Sequence, residues 1–600
     1  MNETTKFLAI PLAHHDGSEL YVDNPQPELG DAVRLSVRCS NTLRLTAVYV
    51  RAVVDGEPRY TQANRTTIEK EETWWQATVT MVNPITTYRF LLIAGEKTIW
   101  LNGTGLHEHN IPDAADFRLT TFHTPRWVED AVIYQIFPDR FARSQNHQIT
   151  HYPQWAIPAA WDTDIADNTP DGVRQVYGGS LWGVAEHLDY IKRLGANTLY
   201  LTPFFPAQSN HRYDASTFDT VDPLLGGDAA LRTLITKAHK LGMHVIGDLT
   251  LNHSGVTHDW FERGRTNPDS AEAGFYFFNR KNHDDVSYAT FDGVQTLPKF
   301  DHRSKELQRR LYCGPDSVVA RYIENFDLDG WRIDVAQSAG KYHAVDMNDF
   351  IAKQTRMTMN QVRNDTLLIA EHQFDASATL QGDGWQGTMA YAGFTKPVWS
   401  WLTNLRSNAW GVPGPAEHYG AQTMTQTMAE FSALMPWQSY VTSMTLLDSH
   451  DTARFRSVSG RFQALGIALL FTLPGIPTIF SGDEVGVEGH NLEAARQPFP
   501  WRQSEQDGEI LHLYRRLIAL RHSHSALHRG GLRWLNRTDD TVLFERADST
   551  ERILVSISRS DHPALISTIN AESLLGGPDL VKGKEMPSTG PAFHIWRVTE

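Results

Sequence analysis

The sequence predicts an α/β fold, a (β/α)8 TIM barrel that carries an N-terminal β-sandwich and a C-terminal β domain. Short runs of alternating apolar and polar residues occupy both ends of the 600-residue chain, and this pattern is typical of half-buried strands. Between them, from about residue 131 to residue 522, apolar strands alternate with helical patterns. The alternation favours a closed parallel barrel of eight repeats. A doubly wound sheet is the alternative arrangement of the same elements.

Three domains are predicted along the chain. Residues 1–122 alternate in the manner of an all-β module, and residues 526–600 return to that pattern. Residues 123–525 form the barrel, with an inserted loop domain at about 252–301. A connection of that length inside a compact domain is usually functional.

Apolar runs and glycine stops mark the elements of the barrel. Two predicted helices end at Gly195 and Gly242, as helices commonly do. The predicted strands are 131–136, 198–201, 245–249, 331–335, 366–370, 444–447 and 477–480, and the predicted helices are 183–194, 228–241, 305–326, 462–473 and 510–522.

Composition excludes several classes of function. The net charge is −15 without any block of like charges, which argues against a nucleic-acid partner. Only Cys39 and Cys313 are present, so neither a disulfide framework nor a thiolate metal cluster is expected. Residues 1–19 lack the pattern of a secretory signal, and no apolar stretch of about 18 residues predicts a membrane span. The expected location is the cytoplasm.

Chemically active residues lie at the carboxyl ends of four of the predicted strands. They are Asp248, the pair Arg332 and Asp334, then Glu371, and finally Asp451. Because the carboxyl ends of barrel strands meet at one rim, we expect these side chains to converge. Arg332 and Asp334 share one face of their strand, and the arginine should lower the pKa of the carboxyl. A purely structural ion pair is the alternative.

In this order the four motifs resemble the conserved regions of glycoside hydrolase family 13, the α-amylase superfamily. The matching segments are 248–253, 332–334, 370–372 and 448–451, with further matches at 134–141, 211–214 and 475–484. The resemblance covers roughly residues 125–600. Residues 297–301 indicate the branch of neopullulanases, cyclomaltodextrinases and maltodextrin glucosidases, and residues 371–372, 446–455 and 496–501 are most similar to the last of these.

The resemblance implies a retaining glycosidase site with no metal ion and no other cofactor. Asp334 would be the nucleophile, Glu371 the general acid and base, and Asp451 a third acid that grips sugar hydroxyls. Six further residues would bind the substrate, namely Tyr213, Asp248, His253, Arg332, His372 and His450. For each histidine the alternative is a buried structural residue. A metal site is also conceivable, but no two of these histidines have helical i, i+4 spacing.

Two segments depart from the family pattern. Many amylases carry a Lys-His pair three and four positions after the nucleophile, where this chain has Gln337 and Ser338. Long-chain endo-cleavage is therefore less expected. Many secreted relatives bind calcium at the segment that corresponds to residues 142–147, which here contains Arg143. Calcium prefers oxygen ligands, so no calcium is expected there.

The expected function is hydrolysis of α-1,4 bonds in maltodextrins, with release of glucose from short maltooligosaccharides as in a maltodextrin glucosidase. A cyclomaltodextrinase or neopullulanase, a transglycosylase, and a non-catalytic glucan-binding protein remain as alternatives. The N-terminal module is expected to resemble a starch-binding module. It could instead shape the substrate groove or form a homodimer contact.

Overall fold

The computed structural model describes residues 11–280, 286–403 and 418–599. The N-terminal part forms two antiparallel sheets with a shared apolar core. In its central strand, Tyr88, Phe90 and Leu92 lie two apart on one face and are fully buried. The strands are β1 (Ala13–His14), β2 (Ala32–Ser40), β3 (Ala47–Val54), β4 (Glu57–Gln62), β5 (Asn64–Ile68), β6 (Glu72–Thr80), β7 (Ile85–Ala94), β8 (Lys97–Asn102), β9 (Gly105–His107) and β10 (Phe117–Thr120).

The described residues of the central part form fourteen strands, eight of which belong to one parallel sheet. They are β11 (Ile133–Ile136), β12 (Ile157–Pro158), β13 (Gln175–Val176), β14 (Thr198–Leu201), β15 (His244–Thr250), β16 (Phe278–Arg280), β17 (Val286–Tyr288), β18 (Gly330–Asp334), β19 (Lys341–Tyr342), β20 (Val345–Asp346), β21 (Leu367–Ala370), β22 (Gly387–Thr388), β23 (Met444–Leu446) and β24 (Ile476–Phe480).

Helices surround this sheet. They are α1 (Pro138–Phe141), α2 (Leu181–Glu186), α3 (Leu188–Leu194), α4 (Gly227–Lys240), α5 (Asp259–Thr266), α6 (Lys305–Leu311), α7 (Val318–Phe326), α8 (Asn348–Val362), α9 (Lys396–Leu402), α10 (Ala421–Ser432), α11 (Trp437–Thr442), α12 (Phe455–Ser459), α13 (Gln463–Thr472), α14 (Leu492–Ala495), α15 (Gly508–Ser523) and α16 (Ser525–His528). No helix in the described part of the chain is long and apolar enough to cross a membrane.

The eight parallel strands close into a barrel. Their order is β22-β21-β18-β15-β14-β11-β24-β23, and a parallel bridge between Met389 and Met444 joins the two ends of the sheet. The predicted TIM barrel is thereby confirmed, and the doubly wound alternative is wrong. All eight carboxyl ends face one rim, which is where active sites of this fold are assembled.

The C-terminal part is one antiparallel sheet of β25 (Gly531–Arg537), β26 (Thr541–Ala547), β27 (Arg552–Ser558), β28 (Ala571–Ser573) and β29 (Ala592–Val598). Buried ion pairs join it to the N-terminal module. Arg38 lies 3.0 Å from Glu545, and Arg533 pairs with Glu72. The β character predicted for both ends of the chain is confirmed, while the predicted boundaries at 122/123 and 525/526 stay predictions.

Several elements differ from the sequence prediction. The predicted helix 183–194 is two helices that meet at His187, and the predicted helix 305–326 is also two helices. The strand that carries Arg332 ends at Asp334, because Val335 adopts a left-handed backbone conformation with φ of 36°. Residues 1–10, 281–285, 404–417 and 600 lie outside the described residues, including parts of the three predicted domains.

Candidate active site

Arg332 is the centre of the carboxylate cluster and is fully buried. Its Nη1 lies 2.9 Å from both carboxyl oxygens of Asp248 and 3.1 Å from Oδ1 of Asp334. Its Nη2 lies 2.8 Å from Oε2 of Glu371 and 3.9 Å from Oδ2 of Asp451. The structure therefore brings together all four predicted acids around one guanidinium, each from the end of a different barrel strand.

Asp334 is not held ionised by Arg332 in the simple way that the sequence suggested. Arg332 lowers the pKa of Asp334, but burial together with the negative charges of Glu371, Asp248 and Asp451 raises that pKa well above its usual range. The physical reason is that one cation is shared by three buried carboxyls and the partly exposed Asp451. Desolvation of so many acids outweighs the attraction of a single arginine.

Glu371 is anchored through only one of its carboxyl oxygens. Oε2 accepts a hydrogen bond of 2.7 Å from the backbone N–H of Val335 and forms the ion pair with Arg332. Among the residues that the structure describes, Oε1 has a single long contact, 3.5 Å from Nε2 of Gln373. Burial raises the pKa of Glu371, Arg332 opposes the shift and Asp451 adds to it. Glu371 thus offers Oε1 as the oxygen that can carry a proton.

Asp451 is the most exposed of the acids, with 28% of its side chain accessible. Its Oδ1 lies 3.2 Å from Nη2 of Arg496, while Nε of Arg496 donates to the backbone oxygen of His450 at 2.7 Å. Glu493 holds the same guanidinium through a contact of 2.9 Å. Arg496 therefore fixes the position of Asp451 relative to the barrel rim.

His450 and Tyr213 form one hydrogen-bonded unit beside Asp451. Gln135 donates to Nδ1 of His450 at 2.5 Å, which leaves the proton of the neutral ring on Nε2. That nitrogen lies 2.5 Å from the hydroxyl of Tyr213 and 3.2 Å from Asp451. Burial holds the pKa of His450 well below its usual range, so the ring is neutral near pH 7. The rings of Tyr213 and His450 stack with an interplanar angle of 14°.

Asp248 and His253 complete the predicted set on the β15 side. Asp248 accepts hydrogen bonds from the hydroxyls of Tyr200 at 2.6 Å and Tyr213 at 3.0 Å, and burial raises its pKa to about 6. His253 places Nε2 3.9 Å from Oδ2 of Asp334. Within the described residues that nitrogen has no hydrogen-bond partner, and burial lowers the pKa of His253 to about 3. It is a neutral group that faces the nucleophile candidate.

His372 is the predicted site residue that the structure does not bring into this network. It lines an apolar cavity with Phe374 and Met389. Burial lowers its pKa to about 4. Successive residues point to opposite sides of an extended segment, so Glu371 and His372 diverge.

Comparison with known proteins identifies the family of this chain. Residues 135–505 match the family model of the α-amylase catalytic domain. The chain belongs to the α-amylase family. It is 31% identical to a cyclomaltodextrinase of Geobacillus thermopakistaniensis over 496 residues, which cover 80% of this chain and 78% of the relative.

Three further proteins that are similar to this α-amylase family member carry the names of related enzymes. Neopullulanase 2 of Thermoactinomyces vulgaris is 32% identical over 428 residues, covering 69% of this chain and 66% of the relative. The intracellular maltogenic amylase of Bacillus subtilis strain 168 is 31% identical over 443 residues, covering 72% and 69%. A solved cyclomaltodextrinase structure has a TM-score of 0.73 at 25% identity and covers 98% of this chain and 99% of that one. The chain is therefore an α-glucan hydrolase.

Sequence reasoning missed several residues that hold the site. Arg496 and Gln135 lay inside segments that resemble the family, so a signal existed without a role. Tyr200 gave no signal, since it is one aromatic residue within an apolar strand. Lys299 lies in the segment 297–301, which indicates the branch of the family and assigns this residue no role. Its Nζ contacts the side-chain oxygen of Asn252 and lies 2.8 Å from the backbone oxygen of Ser338.

Proposed function

We propose that this protein hydrolyses α-1,4 bonds of short maltooligosaccharides with retention of configuration and releases glucose. The observation that carries the proposal is the gathering of Asp334, Glu371 and Asp451 around Arg332 at the carboxyl rim of the barrel. Retaining glycosidases use two carboxyl groups close together, one as nucleophile and one as acid and base.

The hydrogen bonds support distinct roles for the two central acids. Burial raises the pKa of both Asp334 and Glu371, which favours retention of a proton in the cluster. Both contacts at Oε2 of Glu371 come from donors, and a proton on that oxygen would clash with them. Glu371 can therefore carry a proton on Oε1, from which it can pass to the leaving oxygen.

Asp334 then carries the negative charge and attacks the anomeric carbon. Its Oδ1 contacts Arg332, which leaves Oδ2, on the side of His253, as the attacking oxygen. The bond that forms joins Oδ2 to the anomeric carbon, and the bond that breaks releases the sugar oxygen protonated by Glu371. The ionised Glu371 then takes a proton from water, whose oxygen bonds to the anomeric carbon. The bond between that carbon and Oδ2 of Asp334 breaks, and Asp334 is again a carboxylate. Asp451 and His450 face the same space and would bind sugar hydroxyls.

The leaving-group side supports cleavage of short chains. Gln337 and Ser338 occupy the positions where many amylases carry a Lys-His pair, and Lys299 holds the backbone of Ser338 from the opposite loop. Lys299 is almost fully buried, so its ammonium acts within the wall rather than as an exposed sugar ligand.

Product analysis tests the proposal. Purified enzyme is incubated separately with maltotriose, maltoheptaose, β-cyclodextrin and pullulan, and the products are separated by chromatography. We expect glucose from the linear substrates, and NMR should show the α-anomer before mutarotation. Maltose as the main product from β-cyclodextrin would refute the glucose-releasing version.

A cyclomaltodextrinase or neopullulanase activity is the second candidate. It is favoured by the names of the relatives, which include both activities. The same digestion separates the two candidates, because ring opening and release of maltose or panose are its expected products. Transfer of the glycosyl group to a sugar instead of water would appear as products longer than the substrate.

We also propose that the enzyme acts in the cytoplasm, as the named location of the Bacillus subtilis relative suggests, and that it can form a homodimer. Light scattering at several protein concentrations tests the second point. A single mass of 67.8 kDa at every concentration would contradict it.

A further inference from the structure

Lys299 is a buried cation that takes no direct part in the proposed catalytic steps. The residue is 6% exposed. Its Nζ donates to Oδ1 of Asn252 and, at 2.8 Å, to the backbone oxygen of Ser338. Burial lowers the pKa of Lys299 to about 8, so the ammonium form prevails near pH 7. An ammonium offers only N–H groups and cannot accept a hydrogen bond.

This ammonium fixes the orientation of the Asn252 amide. Oδ1 must face Lys299, because the amide NH2 group would oppose one donor with another. Nδ2 of Asn252 then lies 3.1 Å from Nδ1 of His253 and donates to it. Because burial lowers the pKa of His253 to about 3, the ring is neutral near pH 7. With Nδ1 as the acceptor, the single ring proton is on Nε2.

Nε2 of His253 faces the oxygen with which Asp334 is proposed to attack. It lies 3.9 Å from Oδ2 of Asp334, and among the described residues it has no hydrogen-bond partner. A buried N–H without a partner is costly, so a sugar oxygen that enters this space gains a strong donor. In the opposite tautomer the same position would present a lone pair and repel both the sugar oxygen and the carboxylate.

The backbone holds this relay in place where the long loop rejoins the barrel. The segments 252–254 and 298–300 run antiparallel, and backbone hydrogen bonds of 2.9 and 3.2 Å join them. His253 is thereby placed directly opposite Lys299. The ammonium, the amide and the imidazole are therefore already aligned, and no rearrangement is needed for the cation to act on the ring.

We propose that Lys299 is a positioning residue that sets the tautomer of His253 through Asn252, and so directs the Nε2 proton of His253 towards the sugar bound beside Asp334. The inference rests on the proposed function, because it concerns the same site and the same reaction. It does not depend on glucose being the product. No proton is transferred along the relay, since only the directions of its hydrogen bonds matter.

Asn252→Asp tests the relay with little change of shape. The carboxylate still accepts from Lys299, but it cannot donate to Nδ1 of His253, so the neutral ring must carry its proton on Nδ1. We expect kcat/KM on maltotriose, measured as new reducing ends at pH 7, to fall about 10–100-fold, the range expected for one hydrogen bond to a charged group. The Tm should not fall below that of the parent. An unchanged kcat/KM would overturn the proposal.

Nitrogen NMR of histidine-labelled full-length protein reads the tautomer directly. The signals of His253 are assigned as those that disappear in His253→Ala. We expect the protonated nitrogen to be Nε2 in the parent and Nδ1 in Asn252→Asp. A protonated Nδ1 in the parent would contradict the proposal, whatever the kinetics show. A purely structural role of Lys299 would leave the tautomer the same in both proteins.

Lys299→Met removes the donor while keeping the length of the side chain. It should lower kcat/KM about tenfold or more in the parent, and much less in a His253→Ala background, because both changes act through the same ring. Lys305→Met is the matched control, since Lys305 also donates to a side-chain oxygen, that of Gln308 at 3.3 Å, and should keep the parent kinetics. Equal losses from Lys299→Met in the two backgrounds would show that Lys299 acts by another route.

Failure of the proposed function would be seen in the unaltered protein, as an absence of new reducing ends or as inversion at the anomeric carbon. The tautomer of His253 is measured without turnover, so it decides the inference in either case. The two proposals are therefore refuted by different measurements.

Discussion

Replacing Glu371 by glutamine should separate acid catalysis from every other function of the cluster. The amide oxygen of glutamine can still accept from the backbone N–H of Val335 at the position of Oε2, where the present distance is 2.7 Å. The contact with Arg332 at 2.8 Å can also be kept. The fold and the position of the side chain are therefore preserved, while Oε1 loses its transferable proton.

The magnitude of this loss follows from the work that the proton performs. General acid catalysis contributes about 10²–10⁴-fold, which is roughly 3–5 kcal/mol at 1.36 kcal/mol per tenfold. A maltooligosaccharide needs the proton, because its leaving oxygen is a poor leaving group. Fluoride does not need it. Glu371→Gln should thus lose about 10²–10⁴ in kcat/KM on maltotriose, and much less in the first step with α-maltosyl fluoride.

The assay is a burst measurement of fluoride release beside steady-state hydrolysis of maltotriose. Asp334→Asn is the matched control, since it removes the attacking oxygen and should lose activity on both substrates alike. If Glu371→Gln loses activity equally on the two substrates, Glu371 is not the acid and the assignment of the proton to its Oε1 is wrong.

Three further predictions concern the support of the site and the fold. Arg496→Lys should lower kcat/KM on maltotriose about 10–100-fold, because a charge-assisted hydrogen bond to Asp451 is worth about 1.5–3 kcal/mol; unchanged kinetics would contradict this. The hydrogen bond of 2.8 Å between His239 and Asp329 raises the pKa of His239. The stabilisation that this pair gives to the folded state is therefore complete below about pH 6.5 and is lost as pH rises through the raised pKa. Urea unfolding of His239→Gln should therefore show a flatter fall in stability above pH 6.5 than the parent does. Arg143 donates to two backbone oxygens in the segment for which the sequence predicts no calcium, so we expect EDTA to leave activity and Tm unchanged, and recovery of lost activity by calcium would refute this.

The order of the barrel strands along the chain and the positions of the acids could be predicted, because both depend on local sequence patterns. The strand 198–201 has the predicted bounds. The acids at 248 and 334 lie near or at the carboxyl ends of their strands, and those at 371 and 451 come after theirs. Strand β22 (Gly387–Thr388) was missed, since two residues form no periodic pattern. Its existence depends on backbone pairing with β21 and on the closing bridge to Met444.

Local sequence patterns gave a wrong prediction where distant contacts decide the backbone conformation. Val335 belongs by sequence to the strand before it, yet it adopts a left-handed conformation that costs a β-branched residue roughly 1–3 kcal/mol. The hydrogen bond from its N–H to Glu371, 36 positions away, offsets part of that cost. No pattern within five residues of Val335 contains this information. The divergence of His372 from the site has a different origin, since side chains alternate along an extended segment and family motifs give residue types and not side-chain directions.

The distribution of charge around Arg332 explains why the site can run both halves of a retaining reaction. Asp248 takes two of the arginine contacts and is itself held by Tyr200 and Tyr213, so it is a fixed counter-ion. The remaining attraction is divided between Asp334 and Glu371, and burial raises the pKa of both acids. One proton can then move with the reaction while the net charge of the cluster stays constant. An arginine committed to Asp334 alone would keep the nucleophile charged and oppose its bonding to the sugar.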